Sequence, residues 1–249
     1  MTIACLQQDL VWENPEANRT TAEAELANVV ADIIILPETF TTGFSDRIGS
    51  LTEEADGPTL HWAKQLALRH KALVVGSWVV SDKGRQYNRM HLVQPDGNYC
   101  CYNKAHTFRM SNEFSQIERG CEKLTIEWHG WRIRPAVCYD LRFPTWLRNN
   151  NLDYDLLIVS ANWPAARRDV WDTLLKARAI ENVTYVAGCN RVGNDGNNTP
   201  HNGGTAICDY CGRAVARADD NRQHVITAKL DLQALRNFRQ RWPFHLDFD

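Results

Sequence analysis

Residues 18–38 read NRTTAEAELANVVADIIILPE, and the change of period inside this stretch decides the fold class. Over residues 18–30 the apolar positions recur at helical spacing, with Ala22, Leu26 and Val29 or Val30 on one face. The aliphatic run Ile33-Ile34-Ile35-Leu36, closed by Pro37, then has the length and composition of a buried strand. A helix feeds a strand, and the unit recurs. Gly57-Pro58 opens a helix over 59–70 ahead of a strand over 72–80, and a helix over 169–182 precedes a strand over 184–189. Further strands are predicted at 2–7, 156–160, 205–209 and 225–231, with a closing helix over 232–241. Two hairpins are expected, strands 89–94 and 98–102 around Pro95-Asp96-Gly97, and strands 124–128 and 131–137 around His129-Gly130. Pro144 can open a helix, residues 194–204 read as a polar Gly/Asn-rich loop, and residues 103–122 read as a functional loop region with short helical turns. This is an α/β sandwich of sheet and helix layers in a single domain, 1–249, with no internal repeat or linker.

At 249 residues and 44% hydrophobic content the chain can bury a full core. Lys+Arg 28 against Asp+Glu 30 leaves a formal charge of -2, which argues against nucleic acid or an anionic membrane as partner and favours a small-molecule or peptide substrate. No apolar run reaches the roughly 18 residues of a membrane span, and MTIACLQQDLVW has no basic and long apolar signal-peptide pattern. A soluble, cytoplasmic protein is expected, with its eight cysteines reduced.

Three chemically capable residues stand at abrupt ends of apolar strands: Glu38 after Ile33 to Pro37, Lys104 after Tyr99-Cys100-Cys101-Tyr102-Asn103, and Cys138 after Ile133-Arg134-Pro135-Ala136-Val137. Open α/β sheets place ligands at strand ends, where the backbone delivers a side chain to a fixed point. Singly, a Glu or Lys after a strand is an ordinary solvated residue and a Cys an ordinary core residue. Chemistry joins the three. A thiol becomes a strong nucleophile when a base takes its proton or a cation stabilises the anion, and Glu38 suits the base. Attack on an amide carbonyl creates an oxyanion, for which Lys104 and the backbone N–H of Tyr139 are candidate donors. The proton gained by Glu38 then serves the leaving ammonia.

Leu36-Pro37-Glu38, Tyr102-Asn103-Lys104-Ala105-His106 and Val137-Cys138-Tyr139-Asp140-Leu141-Arg142-Phe143-Pro144 resemble, in order, the three motifs of the nitrilase (carbon–nitrogen hydrolase) superfamily. Ala161-Asn162-Trp163-Pro164 and Arg178-Ala179-Ile180-Glu181-Asn182 extend the resemblance past the cysteine. The resemblance implies an αββα four-layer sandwich and an acyl-thioester mechanism with no metal and no organic cofactor. It also implies a homodimer or higher homo-oligomer, joined by an interface that continues the sandwich. A second glutamate is implied between lysine and cysteine. Glu113 fits, because Glu113 and Gly120 reproduce the family's Glu-to-Gly spacing, and Glu118 is the alternative. Its implied role is to hold the lysine and help position substrate. The segments 104–110 and 138–144 look most like the omega-amidases, which release ammonia from small 2-oxo acid amides such as 2-oxoglutaramate and 2-oxosuccinamate. Another amidase, a carbamoylase or a nitrilase is the alternative enzyme, and a non-catalytic scaffold or binding protein is the alternative of a different class.

A carboxylate-bearing substrate calls for an arginine, and Arg142 is the candidate; its competing reading is an ion pair with Asp140 or Glu113. Phe44 and Trp163 are candidate pocket walls, against a plain core role. His106 reads as a structural imidazole, and Cys208-x-x-Cys211 as a turn between strands, since no second ligand pair follows. Ala206 and Tyr210 stand where many family members place Ser and Pro, which questions the rigidity of that loop. No H-E-x-x-H, G-x-S-x-G, G-x-x-x-x-G-K or G-x-G-x-x-G motif occurs.

Overall fold

A computed structural model gives the structure of the chain over residues 1–247. The first half runs β1 (Thr2–Gln7), α1 (Pro15–Leu26), β2 (Ile33–Ile35), α2 (Ile48–Leu51), β3 (Glu53–Glu54), α3 (Pro58–His70), β4 (Leu73–Asp82), β5 (Arg85–Val93) and β6 (Tyr99–Asn103). The short helix α4 (Glu113–Gln116) leads to β7 (Ile126–Trp128), β8 (Trp131–Val137), α5 (Pro144–Leu147), β9 (Leu156–Ala161), α6 (Arg168–Asn182) and β10 (Tyr185–Asn190). The remainder is β11 (Val192–Asn194), β12 (Pro200–Asn202), β13 (Ala206–Cys208), β14 (Ala214–Arg217), β15 (His224–Lys229) and α7 (Leu232–Arg241).

Local chemistry sets the helix ends. Asn14 caps α1 by accepting from the Ala17 N–H, with Pro15 in the first turn, and Asp231 caps α7 by accepting from the Ala234 N–H. One sheet has the order β15-β1-β2-β4-β5-β6 with β3 on β4, and the other the order β14-β13-β10-β9-β8-β7. In each, three central strands are parallel: β1, β2 and β4 in one, β8, β9 and β10 in the other.

Alternation along these strands builds the layers. Ile3, Cys5, Ile33, Ile35, Leu73 and Val75 meet Ile133, Val137, Leu156, Ile158, Ala187 and Cys189 of the other sheet in one buried cluster. The intervening residues Ala4, Leu6, Ile34, Leu36 and Val74 face the opposite way, onto Leu26 of α1 and Leu60, Ala63 and Leu66 of α3. Leu157, Val159 and Val186 likewise pack on Trp171, Leu175 and Ala179 of α6. The result is the expected αββα sandwich, in which the central strands of both sheets are buried on both faces.

The structure differs from expectation in several places: α1 ends at Leu26, leaving Val30 89% exposed, and α2 and β3 were not foreseen. The supposed loop 194–204 contains the hairpin β11–β12, turned by Asp195, whose Oδ1 accepts the N–H groups of Asn197 and Thr199 at 2.8 Å each. Between the two final strands lies β14, an edge strand whose exposed residues carry no apolar alternation to reveal it. At its turn Tyr210 packs on Tyr185 and Phe238, ring centroids 5.4 and 4.8 Å apart, and this contact holds the loop whose rigidity its sequence put in question.

On the helix-facing side of β5, His91 is 1% exposed and stacked on Trp78 at 3.8 Å. Burial, reinforced by Arg89, pushes its pKa from 6.5 down to about 3. The folded state holds the imidazole neutral while the unfolded chain takes up a proton, so this contribution to stability is present above 6.5 and is lost as pH falls toward 3. Urea midpoints of the wild type are expected to fall more steeply between pH 6.5 and 4 than those of His91→Phe, which keeps an apolar ring on Trp78; parallel slopes would contradict this.

Candidate active site

Three strand ends converge at one edge of the sandwich. Past β2, the Leu36 N–H still donates to Val75 O at 2.8 Å, and the Leu36 carbonyl accepts from Ser160 Oγ at 2.7 Å, which ties the two sheets together. The chain then turns sharply: Thr39 has φ +40° and its N–H donates to Ser77 Oγ at 3.0 Å. Glu38, between these anchors, is wholly buried. At the end of β6 the Lys104 N–H donates to Asn88 O, and the Lys104 carbonyl accepts from the Gly120 N–H, both at 2.9 Å. A Cβ on Gly120 would lie 2.1 Å from the Asn103 carbonyl oxygen, so only glycine permits this clamp of segment 103–120 onto β6. The clamp brings α4, and with it Glu113, back over Lys104.

The end of β8 is strained. Cys138 has φ +42°, a conformation rarely adopted by side-chain-bearing residues, and opens a 3-10 turn over Cys138–Arg142. Buried Asp140 holds that turn: its Oδ2 accepts from the Val137 N–H at 3.0 Å and from Tyr102 Oη at 2.8 Å, while Oδ1 accepts from the His106 N–H at 2.9 Å. His106 Nδ1 lies 2.7 Å from the same Oδ1 and its ring stacks on Phe143, so this histidine is structural, as expected. Tyr139 sits in the first turn, where backbone N–H groups have no helical acceptor.

Lys104 Nζ donates to Glu38 Oε1 at 2.8 Å and to both Glu113 oxygens at 2.9 Å. Burial works against the ammonium, but the Glu113 and Glu38 carboxylates outweigh it and hold the amine above the ordinary lysine range. Burial pushes the Glu113 carboxyl up against the pull of Lys104, since two carboxylates face one ammonium. Burial, then the adjacent Glu38 carboxylate, push the Cys138 thiol well above its usual range; Lys104 pulls the other way and does not prevail. The resting sulfur therefore keeps its proton, and the Glu38 carboxylate that can receive it lines the same cavity.

This cluster floors a cavity of about 300 Å³, into which Cys138, Glu38 and Lys104 open together with Tyr139, Arg142, Phe44 and Trp163. Glu113 lies just behind, 2% exposed, and Glu118 points to solvent. Lys104 Nζ sits 5.3 Å from the Phe44 ring centroid. Arg142 lies 5.2 Å over the Trp163 ring and, among the described residues, makes no ion pair; Asp140 and Glu113 are committed to the partners above, which removes the ion-pair reading.

Two asparagines complete the cluster and were missed. Asn88 Nδ2 donates to Glu38 Oε1 at 2.9 Å and to Glu113 Oε1 at 3.0 Å, bridging the carboxylates. The Asn162 N–H donates to Glu38 Oε2 at 2.9 Å, while its Nδ2 bonds the Glu38 carbonyl and Thr39 Oγ1. Asn162 follows the apolar strand β9, so the strand-end argument applied to Glu38, Lys104 and Cys138 would have found it. Asn88 offered only a polar residue in mid-strand. Arg167, Ser111, Asp195, Thr199 and His201 also line the cavity and had not been singled out.

The profile of the carbon–nitrogen hydrolase family matches residues 2–240, and the chain belongs to that family. It is thus a hydrolase of carbon–nitrogen bonds other than peptide bonds. Omega-amidase YafV of Yersinia enterocolitica is 43% identical across 100% of this chain and 97% of its own length, and 2-oxoglutaramate amidase of Bacillus subtilis is 34% identical across 97% and 95%. Among solved structures, XC1258 of Xanthomonas campestris, a CN-hydrolase superfamily protein with an arsenic adduct in its active site, superposes with a TM-score of 0.98 at 40% identity, covering 100% of this chain and 97% of its own. Nit3 of Saccharomyces cerevisiae shares the fold, with a TM-score of 0.85 at 22% identity over 98% and 94%.

Asn88→Leu removes a donor from both buried carboxylates at once. It is expected to lower the unfolding free energy by about 1–3 kcal/mol, read from the urea midpoint at constant m-value, and an unchanged midpoint would contradict the bridging role.

Proposed function

We propose that the chain is an omega-amidase that releases ammonia from small 2-oxo acid amides, with Cys138 as nucleophile, Glu38 as general base and acid, Lys104 as oxyanion donor and Glu113 as the group that positions Lys104. The observation that carries this reading is the convergence on one substrate-sized cavity of a thiol, a buried carboxylate and the buried ammonium bonded to it. The names and full-length identity of the omega-amidase and 2-oxoglutaramate amidase relatives support the substrate class.

The steps balance as follows. Cys138 Sγ attacks the amide carbon as its proton passes to Glu38, and the carbonyl oxygen becomes an oxyanion held by Lys104 Nζ and the Tyr139 N–H. The tetrahedral adduct collapses, the C–N bond breaks, and Glu38 returns the proton to the departing ammonia. A water then attacks the thioester, giving its proton to Glu38, and the acid leaves as the thiol is restored. Every proton-transfer step runs through one carboxylate. This explains why Glu38 is fixed from four sides, by Lys104, Asn88, Asn162 and the β2–β9 tie. Arg142, stacked on Trp163 and free of a protein acceptor among the described residues, supplies the charge for the substrate carboxylate, and Phe44, Tyr139 and Trp163 wall the pocket.

We also propose a homodimer or higher homo-oligomer. Ile180 of α6 is 55% exposed and lines a surface groove with Tyr210, Phe238 and Phe244, the last stacked on Trp242, an apolar face that a second copy would cover by continuing the layered packing. No helix of the described residues is long and apolar enough to cross a membrane, and all eight cysteines are unpaired, which supports our assignment to the cytoplasm. Light scattering is expected to give a mass of at least two chains, and Ile180→Glu to shift it to one; a wild-type monomer would contradict this.

Ammonia release from 2-oxoglutaramate, 2-oxosuccinamate, N-carbamoylputrescine and a simple nitrile tests the function. The oxo acid amides are expected to turn over best, Cys138→Ala to abolish turnover, and Glu38→Gln to lower kcat by roughly 10²–10⁴-fold. Turnover surviving in Cys138→Ala would overturn the mechanism, and preference for the nitrile or the carbamoyl amine would overturn the substrate class.

A further inference from the structure

The cavity holds a second arginine, whose role follows from what surrounds it. Arg167, on the turn after β9, places its guanidinium 5.5 Å over the Phe108 ring, as Arg142 does over Trp163. Neither guanidinium has a hydrogen-bond or ion-pair partner among the described residues, whereas the adjacent Arg168 is bound to Asp172 and Asp220. Both cation platforms are wired to the site: Trp163 Nε1 donates to the Arg167 carbonyl at 2.8 Å, and the Phe108 N–H donates to Glu113 Oε2 at 2.6 Å. A guanidinium stacked on a ring keeps its N–H edge available for a planar acceptor.

Among the described residues neither arginine forms an ion pair with the two aspartates of the cavity wall, Asp46 and Asp195. Asp195 spends Oδ1 on its own turn, and Asp46 accepts the Asn112 N–H at 3.3 Å. His201 Nδ1 lies 3.0 Å from the Thr199 carbonyl, which can only accept, so that nitrogen carries the proton. Burial and Arg191 push its pKa down to about 4, so the ring is uncharged at neutral pH. Two guanidinium groups with unpaired N–H edges thus line the cavity that holds Cys138.

We propose that Arg142 and Arg167 act as a two-guanidinium clamp in which Arg142 holds the substrate carboxylate and Arg167 reads the 2-position. Arg167 donates to a 2-oxo oxygen and repels a 2-ammonium. The clamp rests on the omega-amidase reading and makes Arg167 the residue that separates 2-oxo acid amides from amino-acid amides such as glutamine, which carry the same ω-amide.

The test compares kcat/KM for 2-oxoglutaramate, glutaramate (no substituent at the 2-position) and glutamine in wild type, Arg167→Met and Arg167→Lys, at low and high ionic strength. In Arg167→Met the 2-oxoglutaramate-to-glutaramate ratio is expected to fall roughly tenfold or more, and the glutamine-to-glutaramate ratio to rise. Arg167→Lys keeps the charge and loses the fork, so it should still reject glutamine while losing the 2-oxo preference. The salt dependence of 2-oxoglutaramate hydrolysis should flatten in Arg167→Met. Ratios within twofold of wild type in Arg167→Met would overturn the clamp alone. A wild type that hydrolyses neutral amides and none of these three would overturn the omega-amidase reading, and the clamp with it.

Discussion

Everything at the site depends on one buried ammonium shared by two carboxylates. Lys104, Glu38 and Glu113 are each no more than 2% exposed, and together they carry one negative charge more than positive. Removing such groups from water costs several kcal/mol per ion, and their mutual attraction repays this only when the remaining lone pairs and protons are also satisfied. Asn88, the Asn162 N–H and the Phe108 N–H supply that satisfaction. Burial of this kind is poor economy for stability. Its value lies in chemistry: a preorganised cation beside a carboxylate that holds its place through successive proton transfers.

The sandwich makes the cluster possible. Its members come from β2, β5 and β6 of one sheet, β8 and β9 of the other, and the α4 segment, so no local stretch of chain contains the site. Two ties hold the sheets in register at that edge, Ser160 Oγ on the Leu36 carbonyl and Asp140 between Tyr102 and the Val137 N–H. Gly120 adds the third constraint, letting the chain return against Asn103 closely enough to set Glu113 on Lys104. Positive φ at Thr39 and Cys138 marks the two places where the backbone bends to present the reacting groups.

The parts legible in the sequence were those with a period or a motif. Continuous aliphatic runs in β2 and β9 and the apolar stripe of α1 announced layers, and Glu38, Lys104 and Cys138 were visible because each follows an apolar run. The hairpin β11–β12 escaped because strands of three residues show no period, and its turn is made by one side chain of Asp195. Asn88 escaped for another reason: a bridge between two carboxylates is a fact of three-dimensional proximity, and nothing in Tyr87-Asn88-Arg89 encodes it. Arg142 was legible as a cation near the nucleophile, but its lack of an ion pair became visible only once Asp140 was seen to be fully engaged elsewhere.

The account stands on a thiol that gives its proton to Glu38 and carries the acyl group, and this is most directly tested by mass spectrometry of enzyme acid-quenched during turnover of 2-oxoglutaramate. The expected result is an acyl adduct on the peptide containing Cys138, strongly reduced in Glu38→Gln, where the thiol loses the base that takes its proton. Turnover without any adduct at Cys138, or an adduct on another of the eight cysteines, would contradict the account.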